Sequence, residues 1–181
     1  MEITTLCYIE DNGKYLMLHR TKKKNDINEG KWIAPGGHCE NGESPDDCAR
    51  REVLEETGLR LKTLRFRGIV TFYSKAVAGD RDELYTEEEK NPFSKDVTDY
   101  MCLFTSDDYE GTLTSCDEGT LEWIAKDRIS ELNLWKGDLI FFKLIDDPGQ
   151  QFFSLKLTYE GDVLTEAVLD GIIIDPDDYI Y

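Results

Sequence analysis

The stretch GHCENGESPDDCARREVLEETGL, residues 37–59, decides how this chain folds. It contains three glutamates at helical spacings of three and four, Glu52, Glu55 and Glu56. Residues at these spacings lie on one face of a helix, so three carboxylates come together there. Crowded carboxylates repel one another unless a cation lies among them, and oxygen ligands suit Mg²⁺ or Mn²⁺ rather than a soft metal. The stretch therefore predicts a metal site for attack on a phosphate chain.

Local signals set the bounds of the helix. Ser44 is a good N-cap, and Pro45 fits the first helical position. Gly58 is suited to the left-handed residue that ends a helix. A helix over residues 45–57 follows from these signals. We expect its buried side to be lined by Cys48, Ala49, Val53, Leu54 and Leu59, with the three glutamates on the opposite, solvated side.

Glu43 and Arg51 are predicted to form an ion pair that joins the preceding loop to the helix. An arginine holds a carboxylate with two parallel hydrogen bonds. An acidic amphipathic helix is by itself more often a solvated face than a site. The preceding WIAPGG segment, residues 32–37, and the offset Glu43 make a chance assembly of all these elements very unlikely.

Residues 37–59 resemble the signature of the Nudix hydrolases at every specified position. The resemblance implies an α+β fold, an α/β/α sandwich whose mixed β-sheet core is flanked by helices. It also implies an enzyme that cleaves a nucleoside diphosphate linked to another group. By the same resemblance, Mg²⁺ or Mn²⁺ is bound by Glu52, Glu55, Glu56 and the main-chain carbonyl of Gly37. Glu43 and Arg51 match the family's structural pair.

Composition predicts one domain over residues 1–181, with a polar surface insertion at about 75–95. The formal net charge of −17 argues against a nucleic acid polymer as partner, whereas a small nucleotide that arrives with Mg²⁺ is compatible with it. No apolar run approaches the ~20 residues of a membrane span, and the first residues do not resemble a signal peptide. Five cysteines without a C-x-x-C pair favour reduced thiols. We expect a cytoplasmic protein, monomeric or homodimeric.

The remaining elements follow from alternation and turn residues. A hairpin is predicted around residues 11–13 and another around residues 160–162. Further strands are predicted at 65–74, 99–106 and 120–125, the last with Trp123 in the core. A second helix is predicted at 136–145, and the tail from residue 170 is either a strand or a loose end.

Substrate choice must come from outside the metal helix. Trp135 offers a flat surface to a base, and Asp138 offers a carboxyl group to the adjacent N–H donors of guanine. The plainer alternatives are a core tryptophan and an acid that favours the helix dipole. Residues 115–138, with the strand near 152–157, are similar to the MutT-type branch that hydrolyses oxidised purine nucleoside triphosphates such as 8-oxo-dGTP. In that resemblance Trp135 and Asp138 match base-reading residues, whereas Gly137 and Ile33 replace polar ones.

The predicted catalytic residues are Glu43, Arg51, Glu52, Glu55 and Glu56. Glu55, Glu56 or the distal Glu118 would orient or deprotonate the attacking water, and Asp99 is a further candidate metal ligand. Lys22 and Lys23, within the basic run 22–24, and Arg20 would steady the phosphates unless that run is only a solvated loop. The alternatives are a Nudix hydrolase for ADP-ribose, a dinucleoside polyphosphate or a nucleoside diphosphate sugar, and a non-catalytic nucleotide-binding module.

Overall fold

The computed structural model describes residues 3–22, 27–76 and 95–179. Its strands, in chain order, are β1 Ile3–Asp11, β2 Lys14–Arg20, β3 Trp32–Ile33, β4 Arg60–Leu61, β5 Arg65–Lys75, β6 Val97–Ser106, β7 Tyr109–Glu110, β8 Gly119–Ala125, β9 Phe153–Glu160, β10 Val163–Leu169 and β11 Ile172–Ile174. The two α-helices are α1 Pro45–Thr57 and α2 Lys136–Asp146, and short 3-10 helices cover Lys126–Glu131 and Pro176–Tyr179.

Most of the strands join in one mixed sheet. Its order is β11-β10-β9-β5-β6-β1-β2-β3, with β8 also pairing to β2. The β1–β6 and β5–β9 pairs are parallel, and the β5–β6 pair is antiparallel. Because β5 runs opposite to β6, and β1 runs parallel to β6, the end of β5 lies beside the starts of β1 and β6.

The two helices cover opposite faces of this sheet. In β1, Tyr8 belongs to the core cluster under α2, whereas Cys7 and Ile9 belong to the cluster under α1. This is the alternation expected of a strand that is covered on both faces. The α/β/α arrangement predicted from the sequence is therefore present.

Helix α1 has the predicted bounds and caps. The Ser44 side chain accepts the N–H of Asp47, the Asp47 carboxylate accepts the N–H of Ser44 in return, and Gly58 ends the helix in the left-handed region at φ 77°. Cys48, Ala49, Val53 and Leu59 are buried as expected. The prediction was wrong for Leu54, which is 38% exposed because it lies on the side of α1 turned away from the sheet.

The hairpins and the second helix were also predicted correctly. Asn12 and Gly13 both have positive φ, as a tight two-residue turn requires. Trp123 is half-buried and stacks on Tyr109 at 5.9 Å, so it borders the core rather than filling it. The tail forms β11 and a 3-10 turn. Most of the predicted insertion, residues 77–94, lies outside the described residues.

All five cysteines are free thiols, as their spacing indicated. None of the helices in the described segments is long and apolar enough to cross a membrane.

Candidate active site

A cleft of about 670 Å³ lies where the starts of β1 and β6 meet the end of β5. The loop before α1 and the first residues of α2 close it from two sides. Glu52, Glu56 and Glu118 line one part of the cleft, and Trp135 and Asp138 line another. The acidic residues and the candidate base-reading residues therefore share one cavity, although the glutamates of α1 lie far from Trp135 in the chain.

The glycine loop brings the backbone close to the acidic helix. The N–H of Gly36 donates to Oε2 of Glu56 at 2.8 Å. A Cβ atom at Gly37 would overlap the Glu52 carboxylate, so a larger residue at this position would displace that carboxylate from its place beside the loop. The carbonyl of Gly37 accepts the N–H of Thr5 at 2.8 Å and, more weakly, the thiol of Cys48 at 3.7 Å.

Glu56 is the most perturbed carboxylate of the acidic helix. It is only 9% exposed, which corrects the expectation that it lies on the solvated side. Burial, together with repulsion from Glu118 and Glu52, raises its pKa to about 8. The N–H of Gly36 stabilises the ionised carboxylate and so lowers the pKa. Arg20, which is ion-paired with Glu118, also lowers this pKa.

Arg51 connects the loop to two glutamates of α1. Its Nε and a terminal nitrogen donate to the two oxygens of Glu43 at 2.7 and 2.9 Å, which is the predicted bidentate pair. These bonds lower the pKa of Glu43 to about 2. The other terminal nitrogen donates to Glu52 at 2.7 Å and reaches Glu55 at 3.3 Å. Arg51 also donates to the carbonyl of His38, so it fixes the loop and the acidic face together.

The predicted metal ligands do not all face the cleft. Glu52 and Glu56 line it, whereas the side chain of Glu55 is 60% exposed and is not among the lining residues. Across the described ranges, no three His, Cys, Asp or Glu side chains already stand together as a metal-holding group. Glu52 accepts a hydrogen bond from Arg51, and Glu56 accepts one from Gly36. Each carboxylate therefore has its own donor, as expected for negative groups that repel one another.

The donor set nevertheless fits a hard divalent cation. Glu118 and Glu52 both raise the pKa of Glu56, so three carboxylates act on one another at this wall of the cleft. The carbonyl of Gly37 adds a neutral oxygen beside them. Oxygen ligands of this kind suit Mg²⁺ or Mn²⁺.

The other end of the cleft is built around Trp135. Its indole N–H donates to Oδ1 of Asn28 at 2.8 Å, and the Nζ of Lys31 lies 4.3 Å from the ring centroid. Tyr159 meets the ring edge-on at 5.6 Å. Contacts from three different segments therefore hold the indole in one orientation. Asn28 and Tyr159 were not predicted from the sequence, and no local pattern marks either residue.

Asp138 lies beside Trp135 in the wall of the cleft and is only 5% exposed. Burial raises its pKa to about 7, although the positive charge of Lys31 favours the ionised form. A Cβ atom at Gly137 would overlap Leu157 and Tyr159, and the N–H of Gly137 donates to the Tyr159 hydroxyl at 2.9 Å. The packing of β9 thus explains why this position has no acidic side chain.

The structure places the remaining predicted residues as follows. Asp99, His38, Ile33 and Arg20 line the cleft. Lys22 does not, and its ammonium group donates to the carbonyl of Cys116 at 2.6 Å. Lys23 lies outside the described residues.

Comparison with known proteins agrees with this class of site, an acidic helix beside a glycine loop in an α/β/α sandwich. A family model described as the NUDIX domain matches residues 2–145. An oxidized purine nucleoside triphosphate hydrolase of Danio rerio is 30% identical over 172 residues, which is 94% of this chain and 96% of that protein. An uncharacterized Nudix hydrolase of Bacillus subtilis is 30% identical over 139 residues, 76% of this chain and 75% of that protein.

Solved structures show the same relationship. The crystal structure of a MutT protein from Bacillus halodurans has a TM-score of 0.74 and 27% identity, and the match covers 94% of this chain and 98% of that chain. The chain belongs to the NUDIX family and is a Nudix hydrolase.

Proposed function

We propose that this protein is a Mg²⁺-dependent pyrophosphohydrolase of purine nucleoside triphosphates, with oxidised forms such as 8-oxo-dGTP as its preferred substrates. The products are the nucleoside monophosphate and pyrophosphate. The observation that carries this proposal is the single cleft that joins the glutamates of α1 to Trp135 and Asp138. The similarity to the Danio rerio hydrolase, which extends over 94% of this chain, supports the same substrate class.

At the acidic end, Glu52, Glu56 and the carbonyl of Gly37 are the groups that would hold the metal, with Glu55 able to join by turning from the helix surface. A bound divalent cation at this place would polarise phosphorus and lower the pKa of a water molecule. Glu118, Asp99 and Glu40 are further carboxylates in the cleft wall. A carboxylate there accepts the proton of the attacking water, and Glu56 and Glu118 are our candidates for this role.

Arg51 is a positioning residue in this scheme. Its Nε donates to Glu43, and one terminal nitrogen donates to both Glu52 and Glu55, so Arg51 sets the side-chain orientation of two predicted metal ligands. Arg20 lines the cleft beside Glu118 and is the basic side chain best placed for a phosphate. Lys22 and Lys23 stay candidates for contacting the phosphates, with Lys22 limited to the rim because its ammonium group donates to the carbonyl of Cys116.

At the base end, the Trp135 indole supplies an aromatic wall, and Asp138 supplies a carboxyl group at its side. The indole of Trp135 can stack on the flat face of a purine, and the carboxyl group of Asp138 can hydrogen-bond to its edge. Ile33 adds an apolar contact in the same cleft. A site that hydrogen-bonds a base discriminates strongly against bases that leave its buried polar groups unpaired.

A substrate panel tests the proposal. Purified protein with Mg²⁺ is supplied with 8-oxo-dGTP, dGTP, dATP, dCTP, ADP-ribose, a dinucleoside polyphosphate and a nucleoside diphosphate sugar, and pyrophosphate and orthophosphate release are measured separately. We expect the highest kcat/KM with the oxidised purine triphosphate, and pyrophosphate as the inorganic product. A higher kcat/KM with ADP-ribose or a nucleoside diphosphate sugar would replace this substrate assignment.

Single substitutions test whether the residues of this cleft carry the activity. Glu52→Gln and Glu56→Gln keep the size of the side chain and remove its charge, and we expect turnover to fall at least about a hundredfold, the lower end of what one positioned acid–base group contributes. Glu122→Gln on β8 is the matched control, because that glutamate is exposed and does not line the cleft. Equal losses in all three variants would point to a general charge effect instead.

The proposal also covers the location, oligomeric state and partners of the enzyme. We propose a cytoplasmic, monomeric or homodimeric protein with a single catalytic domain over residues 1–181, which acts on small nucleotides rather than on nucleic acid polymers. The acidic balance of 38 Asp and Glu against 21 Lys and Arg supports the last point. Sedimentation and a binding assay with duplex DNA test the oligomeric state and the polymer.

A further inference from the structure

A second cleft, of about 1190 Å³, lies at the opposite end of the same central strands. It is lined by the start of β5, the ends of β1 and β6, and the loop that follows α2. The catalytic glutamates and Trp135 do not line it. Any ligand in this cleft is therefore separate from the nucleotide that we place at the acidic helix.

Arg67 forms part of its wall and is held in an unusual way. The β5–β6 register shifts between Phe66 and Gly68, so Arg67 is the extra residue of a β-bulge. Bulges re-aim a side chain and are frequent beside functional sites. Here the guanidinium is 6% exposed and donates to the carbonyls of Ile145 and Gln150, both at 3.0 Å. It thus caps the C-terminal end of α2, with carbonyl oxygens rather than a carboxylate as its partners.

Two features show that the positive charge at this place is incompletely matched. The Nε of Arg67 is the one buried side-chain nitrogen or oxygen within the described residues that lacks a hydrogen-bond partner. The side chain of Arg65, two residues earlier in the same wall, has no hydrogen bond or ion pair within residues 3–22, 27–76 and 95–179. Burial lowers the pKa of Arg67 and the neighbouring charge of Arg65 lowers it further, whereas Tyr15 and Asp146 act in the opposite direction without offsetting them. An anion placed between them would relieve this repulsion.

The acidic groups of the cleft are already engaged. Lys126 donates to Glu10 at 2.8 Å and to Asp146 at 2.7 Å, and Tyr15 also donates to Asp146. Asp107 accepts the hydroxyl of Thr63 at 2.8 Å. Asp147 accepts the N–H of Gly149 at 2.7 Å. The Arg65 guanidinium therefore remains the charged donor of this cleft that is open to a ligand.

An aromatic surface adjoins the two arginines. Phe66 is 41% exposed and Phe152 is 51% exposed, and their rings meet edge to face at 5.4 Å. Phe66 is backed by the buried Phe104, on which it stacks at 5.0 Å. Single exposed phenylalanines are ordinary, but two rings in contact at the mouth of a polar cleft form an apolar corner, and a planar group can stack on one ring and meet the edge of the other.

We infer that this cleft is a second ligand site, which binds a small organic anion made of a planar ring joined to a phosphate or carboxylate group. The oxyanion lies against the exposed guanidinium of Arg65, with the buried positive charge of Arg67 behind it, and the ring lies on Phe66 and Phe152. The inference does not depend on the proposed function, because it concerns different residues at the other end of the sheet.

The test uses ¹⁵N-labelled full-length protein titrated with phenyl phosphate and followed by two-dimensional NMR. We expect saturable shifts at the amides of Arg65, Phe66, Gln150 and Phe152. Arg65→Met and Phe152→Ala should each weaken binding by roughly tenfold, the scale of one lost charge-assisted hydrogen bond or one aromatic contact. Both residues are on the surface, so the rest of the spectrum reports whether the variants keep their fold.

Two further titrations and one control decide the outcome. Inorganic phosphate and phenol each offer only half of the ligand, and we expect both to bind at least about tenfold more weakly than phenyl phosphate. Arg60→Met removes a matched exposed arginine outside the cleft and should leave binding unchanged. Shifts confined to the catalytic cleft, unchanged affinity in Arg65→Met, or equal binding of inorganic phosphate would each overturn the proposal.

Discussion

Replacement of Asp138 by asparagine should make the protein more stable at neutral and alkaline pH. The carboxyl group is 5% exposed, and burial raises its pKa from 3.8 to about 7 in the folded protein. Between these two values the folded state binds the proton more tightly than the unfolded state does. Stability from this group is therefore greatest at low pH and is lost as the pH rises from about 4 to about 7.

The size of the effect follows from the shift. Each unit of pKa shift corresponds to about 1.4 kcal/mol in the free energy of unfolding. The full shift therefore changes that free energy by on the order of 4 kcal/mol, and the part of the change that falls between pH 5 and pH 8 is roughly 2–3 kcal/mol. The charged groups that face Asp138 are few: Lys31 favours its ionised form, and Tyr8 and Tyr159 are neutral phenols whose own pKa values are raised. An asparagine keeps the shape of the side chain and has no proton to lose.

Urea unfolding of both proteins at pH 5 and pH 8 measures the effect. Between pH 5 and pH 8, the free energy of unfolding of the parent should fall by roughly 2–3 kcal/mol relative to that of Asp138→Asn. Asp127→Asn, at an exposed aspartate on the 3-10 helix, is the control and should follow the parent. If the parent and Asp138→Asn change in parallel, the buried carboxyl group is not protonated in the native state, and the reasoning from burial is refuted.

Three further predictions follow from the site. Arg51→Ala should lower both the melting temperature and turnover, because Glu43 and Glu52 lose a common partner; an unchanged melting temperature by calorimetry would show that the pair contributes nothing to stability. Trp135→Ala should raise KM for 8-oxo-dGTP, since base–aromatic stacking is worth ~1–3 kcal/mol, and should flatten the preference among bases; steady-state kinetics that keep the parent's ranking would contradict this. Mg²⁺ should raise the melting temperature of the parent but not of Glu52→Gln in scanning fluorimetry, and an equal rise in both would place the metal elsewhere.

Local chemistry explains what the sequence could predict. The bounds of α1 depend on Ser44, Pro45 and Gly58, which act within one turn of the helix ends, so they are visible in the sequence. The Arg51–Glu43 pair is equally local. The tight turn at residues 12–13 depends only on two residues that tolerate positive φ.

Features that depend on distant segments could not be predicted in the same way. Glu56 has a helical spacing that places it with Glu52, but the glycine loop and Glu118 bury it, and neither contact is visible from helix periodicity. Trp135 and Asn28 are 107 positions apart in sequence. The bulge that turns Arg67 toward the end of α2 arises from strand register, which a single sequence does not reveal.

We propose that one cleft of this protein joins pyrophosphate hydrolysis to recognition of the base. The most direct test is a competition in which equimolar 8-oxo-dGTP, dGTP and ADP-ribose are incubated with the parent protein and Mg²⁺, while ³¹P NMR and chromatography follow every substrate and product. We predict that 8-oxo-dGTP is consumed first and yields its monophosphate and pyrophosphate in equal amounts, without orthophosphate. Prior consumption of ADP-ribose, or equal rates for 8-oxo-dGTP and dGTP, would contradict the claim.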